Sequence, residues 1–240
     1  MRSILSGLGY ALIRGGFRAP PFPALAAYAD KAKIADLMRR HRINCVLDVG
    51  ANKGWFSAGL RRLGFEGDIF SFEPIRADHD LIAVRAEGDA RWKTFNYALG
   101  ETEEEREFNV VEAGGGQTVY SSFLEAKSPL GAVRKERASI RTIDALFASL
   151  PFSATEPRIF LKTDTQGYDL SVVRGARASM GSIHLLRSEI AVSHLYDGAP
   201  GYTEALAAYE GFGFRLIDLN VIARTADDFV LEFDCLMAKP

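Results

Sequence analysis

Five polar residues stand where short apolar runs stop: Asp48, Glu73, Asn96, Asp164 and Glu189. Each run is of strand length, so each of these side chains is delivered to the carboxyl end of a β-strand. Converging carboxylates there can hold cationic groups and hydroxyls, or take a proton from a nucleophile. Residues 45–54, C-V-L-D-V-G-A-N-K-G, are the clearest case. Cys45–Val49 reads as a strand buried on both faces, Gly50 and Gly54 bracket a tight loop, and residues 55–63 resume at helical spacing. The first N–H groups of that helix lack partners, so strand, glycine turn and helix start together suit a polar ligand. Taken alone, the glycine pair is equally an ordinary strand-to-helix turn.

The loop discriminates between ligands. A dinucleotide fingerprint, G-x-G-x-x-G, puts its middle glycine where backbone approaches a pyrophosphate. Asn52 stands in that place here, and Asp48 beside the turn repels a phosphate. A carboxylate suits an ammonium group instead. Glu73, at the end of the next strand, is placed to take two ribose hydroxyls. Together these residues favour a nucleoside bearing an amino acid, S-adenosylmethionine, over NAD.

The elements that position these residues alternate. A helix is expected over 24–41, a strand over 68–72 closed by Glu73-Pro74, a helix over 76–87, and a strand over 92–99. Pro74 has no N–H and stops the ladder. Residues 101–107 carry five glutamates and read as a solvated turn and strand edge. Residues 108–111 and 119–123 flank Gly114-Gly115-Gly116, a hairpin or a flap. Residues 127–141 are basic and read as a solvated edge, and Thr142 as the N-cap of a helix over 143–150. Then follow a strand over 159–163, a helix over 170–178, a strand over 183–190, a helix over 203–210, and strands over 214–219 and 229–237. Alternating strands and helices predict a parallel sheet covered on both faces, and two successive strands at the end predict an antiparallel hairpin.

Composition narrows the function. A length of 240 residues, 48% hydrophobic and 25% charged, fits one α/β domain with an attached element. A net charge of −2 argues against nucleic acid as partner. Cys45 and Cys235 lie in predicted strands and read as buried thiols of a reducing, cytoplasmic compartment. His41, His79, His184 and His194 show no paired ligand spacing, so no metal site is expected. Residues 4–13 are apolar but too short to span a bilayer, and Arg2, Arg14 and Arg18 flank them. A basic amphipathic helix capping the domain fits this segment, and one resting on a membrane surface is the alternative. Residues 1–41 are accordingly divided off as an N-terminal helical cap.

Five motifs in order carry a resemblance. They are V-L-D-V-G-A-N-K-G from Val46 to Gly54, F-E-P from Phe72 to Pro74, N-Y-A-L-G from Asn96 to Gly100, T-I-D from Thr142 to Asp144, and L-K-T-D-T-Q-G-Y-D-L from Leu161 to Leu170. Together they resemble the FkbM family of methyltransferases, with the likeness running from about residue 43 to the C-terminus. The resemblance implies a Rossmann-like class I methyltransferase domain over 42–240: seven strands, mostly parallel, the last antiparallel. It implies S-adenosylmethionine as cofactor and O-methylation of a hydroxyl on a sugar, glycan or other natural product. Asp48, Gly50, Asn52 and Gly54 match the cofactor loop, Glu73 the ribose acid, and Asn96 the asparagine near the adenine. Gln166 and Asp169 each replace a glutamate usual in the family.

Methyl transfer from a sulfonium needs an aligned acceptor and a group to take its proton. Asp164 is the first candidate base, with Lys162 orienting it or the acceptor, followed by Glu189 and His194. The structural alternatives are a helix cap for Asp164, a loop role for His194, and a cross-strand pair of Lys162 with Glu189. Two other functions stay open: methylation of a small carboxylic acid, which needs no base, and nucleotide binding without transfer.

Overall fold

The computed structural model describes residues 22–193 and 195–240. The expected helix over 4–13 and His194 lie outside them. The chain divides into two compact units between Ile34 and Ala35, within helix α1, Phe22–Arg40. Among the described residues no helix is long and apolar enough to cross a membrane.

The second unit is built on a seven-stranded sheet. In chain order its strands are β1 (Cys45–Val49), β2 (Asp68–Phe72), β3 (Trp92–Phe95), β7 (Ile159–Thr163), β8 (Ile183–Ala191), β9 (Arg215–Arg224) and β10 (Val230–Ala238). Their spatial order is β3-β2-β1-β7-β8-β10-β9. Every pairing from β3 to β8 is parallel, and only β10 runs antiparallel to both its neighbours. This is the predicted architecture. Strands β1, β2 and β7 are buried at every position, as runs of Val, Ile, Leu and Phe covered on both faces should be. Phe70, Phe72 and Phe160 are each at most 1% exposed, and each stabilises the fold by about 2–3 kcal/mol.

The helices joining these strands are α2 (Trp55–Arg62), α3 (Arg76–Ala86), α4 (Ile143–Phe147), α5 (Asp169–Arg174) and α6 (Tyr202–Gly211). Thr142 caps α4 as expected, its hydroxyl accepting from Ala145 N at 3.0 Å. Asp144 then accepts from Ala178 N, Ser179 N and Ser179 Oγ at 2.7–2.8 Å. The T-I-D motif therefore pins the turn beyond α5 and carries no chemistry.

Two expectations are corrected. The strand over 92–99 is two strands: β3 stops at Phe95, and Ala98–Leu99 form β4 of a second sheet. Residues 127–141 are not a solvated edge throughout, because Ala132–Arg141 form β6 of that same sheet. Its third strand is β5, Glu104–Glu112, and the order is β4-β6-β5, with β4 parallel and β5 antiparallel to β6. Residues 119–123 form no strand, only a bridge of Ser122 to Asn109. The apolar ends of β5 and β6 bury Phe108, Val110, Ala138 and Ile140 with Ile75 and Phe123.

The parallel sheet reverses its order between β1 and β7, and the crevice past their carboxyl ends is the expected ligand position. The two strands are in register, Asp48 beside Lys162 and Val49 beside Thr163. Asp164 N donates to Val49 O at 3.1 Å, which draws the two loops together. Gly50 has φ +69°, and a methyl on it would sit 2.0 Å from the Asp164 carbonyl oxygen. Gly115 has a similar φ of +77° but open space around it. Gly115→Ala should therefore cost about 1–2 kcal/mol, the left-handed penalty alone. Gly50→Ala should cost several times more in chemical denaturation, and equal losses at the two sites would refute this account of the crevice.

Candidate active site

Lys162 is the hub of the crevice. Its ammonium donates to Gly50 O at 3.0 Å and lies 3.2 Å from Asp48 Oδ1 and 3.5 Å from Asp164 Oδ2. Ser57 Oγ donates to the other Asp48 oxygen at 2.6 Å. Burial works to lower the Lys162 pKa, but Asp48 and then Asp164 outweigh it and hold the ammonium above the usual lysine range. The expectation that Asp48 opens on the crevice is corrected: it is 0% exposed and lies beneath the loop, engaged with Lys162 and Ser57. Lys162 does not pair with Glu189.

Glu73 ends β2 as predicted and faces inward. Its two oxygens accept from Asn52 N at 2.7 Å and Ile75 N at 2.9 Å, joining the glycine loop to the start of α3. Burial pushes its carboxyl up to about 8, against the pull of those two donors. Asn52 adopts φ +47°, and its side chain donates to Thr118 Oγ1, which donates to Asp78 at 2.5 Å. Lys53 reaches Gly116 O at 3.3 Å. The segment after the triple glycine is thereby tied over the cofactor-type loop and roofs the crevice. Asn96 is exposed and donates to the carbonyls of Glu73 and Pro74, both at 3.0 Å. It braces the turn at the end of β2 and does not line the cavity.

Three further carboxyl groups meet on the other side. Asp164 is 44% exposed at its side chain, Glu189 ends near it on β8, and Glu232 comes from β10. Gln166, at φ +53°, stands between the first two, with Nε2 3.4 Å from Asp164 and 3.3 Å from Glu189. Its Oε1 accepts from the Tyr196 hydroxyl at 2.9 Å, and its backbone carbonyl from Ser122 Oγ at 2.8 Å. The same hydroxyl lies 3.0 Å from Tyr120 O, so its one proton is shared between the two acceptors. For Asp164, burial acts upward, but Lys162 and then the donors Glu189 and Gln166 hold its carboxyl below the ordinary aspartate value. Burial first, then Asp164, holds Glu189 well above its own. The pair thus divides its charge: the negative charge is favoured on Asp164 and the proton on Glu189.

These groups line one cavity of about 400 Å³, within the range of small-molecule sites. One wall is apolar, with Phe72, Ile75, Leu99, Phe108, Phe123 and Tyr168. Every Asp, Glu, Lys, Arg or His among its described lining residues is acidic: Glu73, Asp164, Glu189 and Glu232. Of the residues expected from the sequence, Gly50, Asn52, Glu73, Asp164 and Glu189 line the cavity, while Asp48, Gly54, Asn96 and Lys162 do not. Gly54 holds φ +76° ahead of α2, where an added Cβ would press on Ile82 at 3.2 Å. Sequence reasoning missed Glu232, Tyr196 and Thr118. Glu232 and Asp234, alternating within an apolar strand, were the available signal.

The family model for the Methyltransferase FkbM domain matches residues 48–216, well over half of the chain. No curated protein matches it. Among solved structures, the precorrin-6y C5,15-methyltransferase of Geobacter metallireducens GS-15 is similar at 13% identity and a TM-score of 0.43, covering 82% of this chain and 81% of that one. The magnesium protoporphyrin IX methyltransferase of Synechocystis PCC 6803, with bound SAM, is similar at 7% identity and a TM-score of 0.48, covering 96% and 88%. EvdMO1 is similar at 13% identity and a TM-score of 0.44, and the chain, 87% covered, spans 40% of it.

The buried hub makes an energetic prediction. Lys162→Met leaves the Asp48 carboxylate without its cation in an apolar setting, which should destabilise the fold by about 3–5 kcal/mol. Adding Asp48→Asn should recover a large part of that loss in denaturant melts. Additive losses would show that the two groups do not form a pair.

Proposed function

The chain belongs to the FkbM family of methyltransferases, enzymes dependent on S-adenosylmethionine, and on that premise we propose that it methylates a hydroxyl oxygen of a small uncharged acceptor, a sugar or other natural-product unit. The charge of the cavity carries this reading. An acceptor carboxylate would face the Asp164 carboxylate with no cation among the lining residues turned toward it, since Lys162 is buried beneath Gly50. A phosphodiester would meet the same repulsion. Carboxyl methylation, the competing reading, and polynucleotide acceptors are both disfavoured on that ground. An uncharged hydroxyl is compatible with the site and needs the base that the site offers.

The donor set also fits the cofactor. Each Glu73 oxygen accepts one backbone N–H and keeps a lone pair for a ribose hydroxyl. Gly50 and Asn52 shape the loop beside it, and the apolar wall suits an adenine. An acid-lined cavity favours a ligand carrying ammonium and sulfonium charge. When bound, the cofactor supplies a methyl group on an already activated leaving group.

The protein's part is then position, dryness and a proton. Asp164 is the acceptor of the hydroxyl proton, its carboxylate being partly exposed in the crevice. Its depressed basicity is sufficient, because an alkylated hydroxyl is a far stronger acid than a carboxylic acid. Glu189, whose carboxyl is held well above its ordinary value, stands beside it, and Gln166 holds both from the neutral side. The roof from Thr118 to Phe123 lies over the crevice, where bound ligands would displace water and so strengthen each polar contact within it.

Labelled methyl transfer to matched acceptors tests the assignment. A neutral sugar should be methylated and its uronic acid counterpart should not; the reverse preference would overturn the proposal. Asp164→Asn should keep cofactor affinity and melting temperature near those of the parent while turnover falls about a hundred- to ten-thousandfold.

The acid cluster gives a pH prediction. Asp164 is ionised down through the ordinary carboxylate range, so parent activity should hold until pH falls below it. Gln166→Glu places a third carboxyl against the pair, which raises the pH at which Asp164 loses its proton. The acid limb of the rate profile should move to higher pH, with turnover approaching the parent's above it. An unmoved limb would show that Gln166 does not act on the pair.

A further inference from the structure

Gln166 is an amide where the family that the sequence resembles usually has a glutamate, and an amide has an orientation to be set. Its carbonyl and its NH2 are nearly equal in shape, so the groups at either end decide which way it faces. Nε2 stands 3.4 Å from Asp164 Oδ1 and 3.3 Å from Glu189 Oε2, and Oε1 stands 2.9 Å from the Tyr196 hydroxyl. Turned round, the amide would set its oxygen against the Asp164 carboxylate and its NH2 toward the phenol.

Tyr196 opposes that turn. It is 2% exposed, lies on the connection after β8, and forms a bridge to Ala126. Its ring lies against Gly167, where an added Cβ would come 3.6 Å from Cδ2. A phenol buried to this degree needs partners for its hydroxyl, and it has two acceptors, Gln166 Oε1 and Tyr120 O. Burial, then Glu232 and Glu189, hold the phenol above the ordinary tyrosine range, so it remains a donor wherever carboxyl groups titrate. The backbone is set for the same contact. Gln166 takes φ +53°, which is unfavourable to any residue with a side chain, and Ser122 Oγ holds its carbonyl at 2.8 Å. Strain of that kind persists where the surroundings over-determine a geometry.

We propose that Tyr196 is a positioning residue for the transfer reaction: its hydroxyl fixes the Gln166 amide with the NH2 toward Asp164 and Glu189. The inference rests on Asp164 as the base, but the contact itself is testable without any acceptor. With the hydroxyl removed, Oε1 loses that donor, and Glu189, on which the proton of the pair is favoured, is within reach. Turning to it takes the NH2 from Asp164 and sets an oxygen in its place, so Asp164 binds a proton more readily. The other titratable groups about the pair are Lys162 on β7, Glu232 on β10 and Asp169 on α5, with Tyr120 near the Tyr196 phenol. Deleting one hydroxyl leaves each of their charges in place.

Carbon-13 NMR of the aspartate carboxyl groups, on the full chain without acceptor, reads the pH at which Asp164 titrates, and Asp164→Asn identifies its signal. Tyr196→Phe should raise that midpoint by about half to one pH unit. The acid limb of the rate profile on a hydroxyl acceptor should move with it. Gln166→Met should raise the midpoint by itself and leave Tyr196→Phe with no further effect. A fall in melting temperature with an unmoved midpoint makes Tyr196 merely structural and overturns the proposal. So does a shift that persists in the Gln166→Met background, because the hydroxyl would then act by another route. Failure of the base assignment has a different signature: Asp164→Asn would keep full turnover while the parent's midpoint still moved with Tyr196→Phe.

Discussion

One buried ammonium organises the catalytic end of this molecule. Lys162 sits between two parallel strands whose ends both carry aspartate, and its charge is shared by Asp48, Asp164 and the Gly50 carbonyl. Without it, Asp48 would be a fully buried carboxylate held by one serine hydroxyl, a costly arrangement in a low dielectric. With it, β1 and β7 are fastened across the point where the sheet reverses order. The glycine loop is held against Asp164 at a separation that only glycine at position 50 allows. The same charge decides chemistry as well as stability, since it keeps Asp164 ionised although two other carboxyl groups converge on it.

A second, smaller sheet does for the acceptor side what the hub does for the floor. Strand β5 sets Phe108 edge-to-face on Phe123 at 4.8 Å between centroids, and Phe123 in turn meets the tilted ring of Tyr168 at 5.1 Å. From this base the chain returns over the crevice, tied by Thr118 to Asp78 and Asn52 and by Ser122 to Gln166. Gln166 is the meeting point, touching the roof with its carbonyls and the acids with its amide. A glutamate there would bring a further negative charge to the pair. Of the two departures from the family pattern the sequence resembles, Gln166 and Asp169, only this one removes a charge.

Much of the fold is legible in residue order because the decisive signals are local. Apolar runs of strand length, Pro74 after Glu73, and Thr142 before a short helix each follow from the chemistry of neighbouring residues. Strand β6 is not legible in the same way. Half of its sequence A-V-R-K-E-R-A-S-I-R is charged, and its partner is the acidic β5, some twenty or more residues distant. Lys135 meets Glu107 at 3.3 Å and Arg134 meets Glu112 at 3.0 Å. Charge complementarity between distant segments leaves no periodicity in either one, so hydrophobic patterning passes over it.

The candidate site divides along the same line. The sequence by itself determined which acids end strands, where the glycine loop lies, and the kind of ligand such a loop accepts. Strand length and phase are set within a few residues of each position. Only the tertiary structure decided that Asp48 is spent on a buried lysine, that Asn96 braces a turn, and that Glu232 joins Asp164 and Glu189. These are questions of register and packing between segments far apart in the chain, and no local pattern encodes which distant side chain will stand opposite.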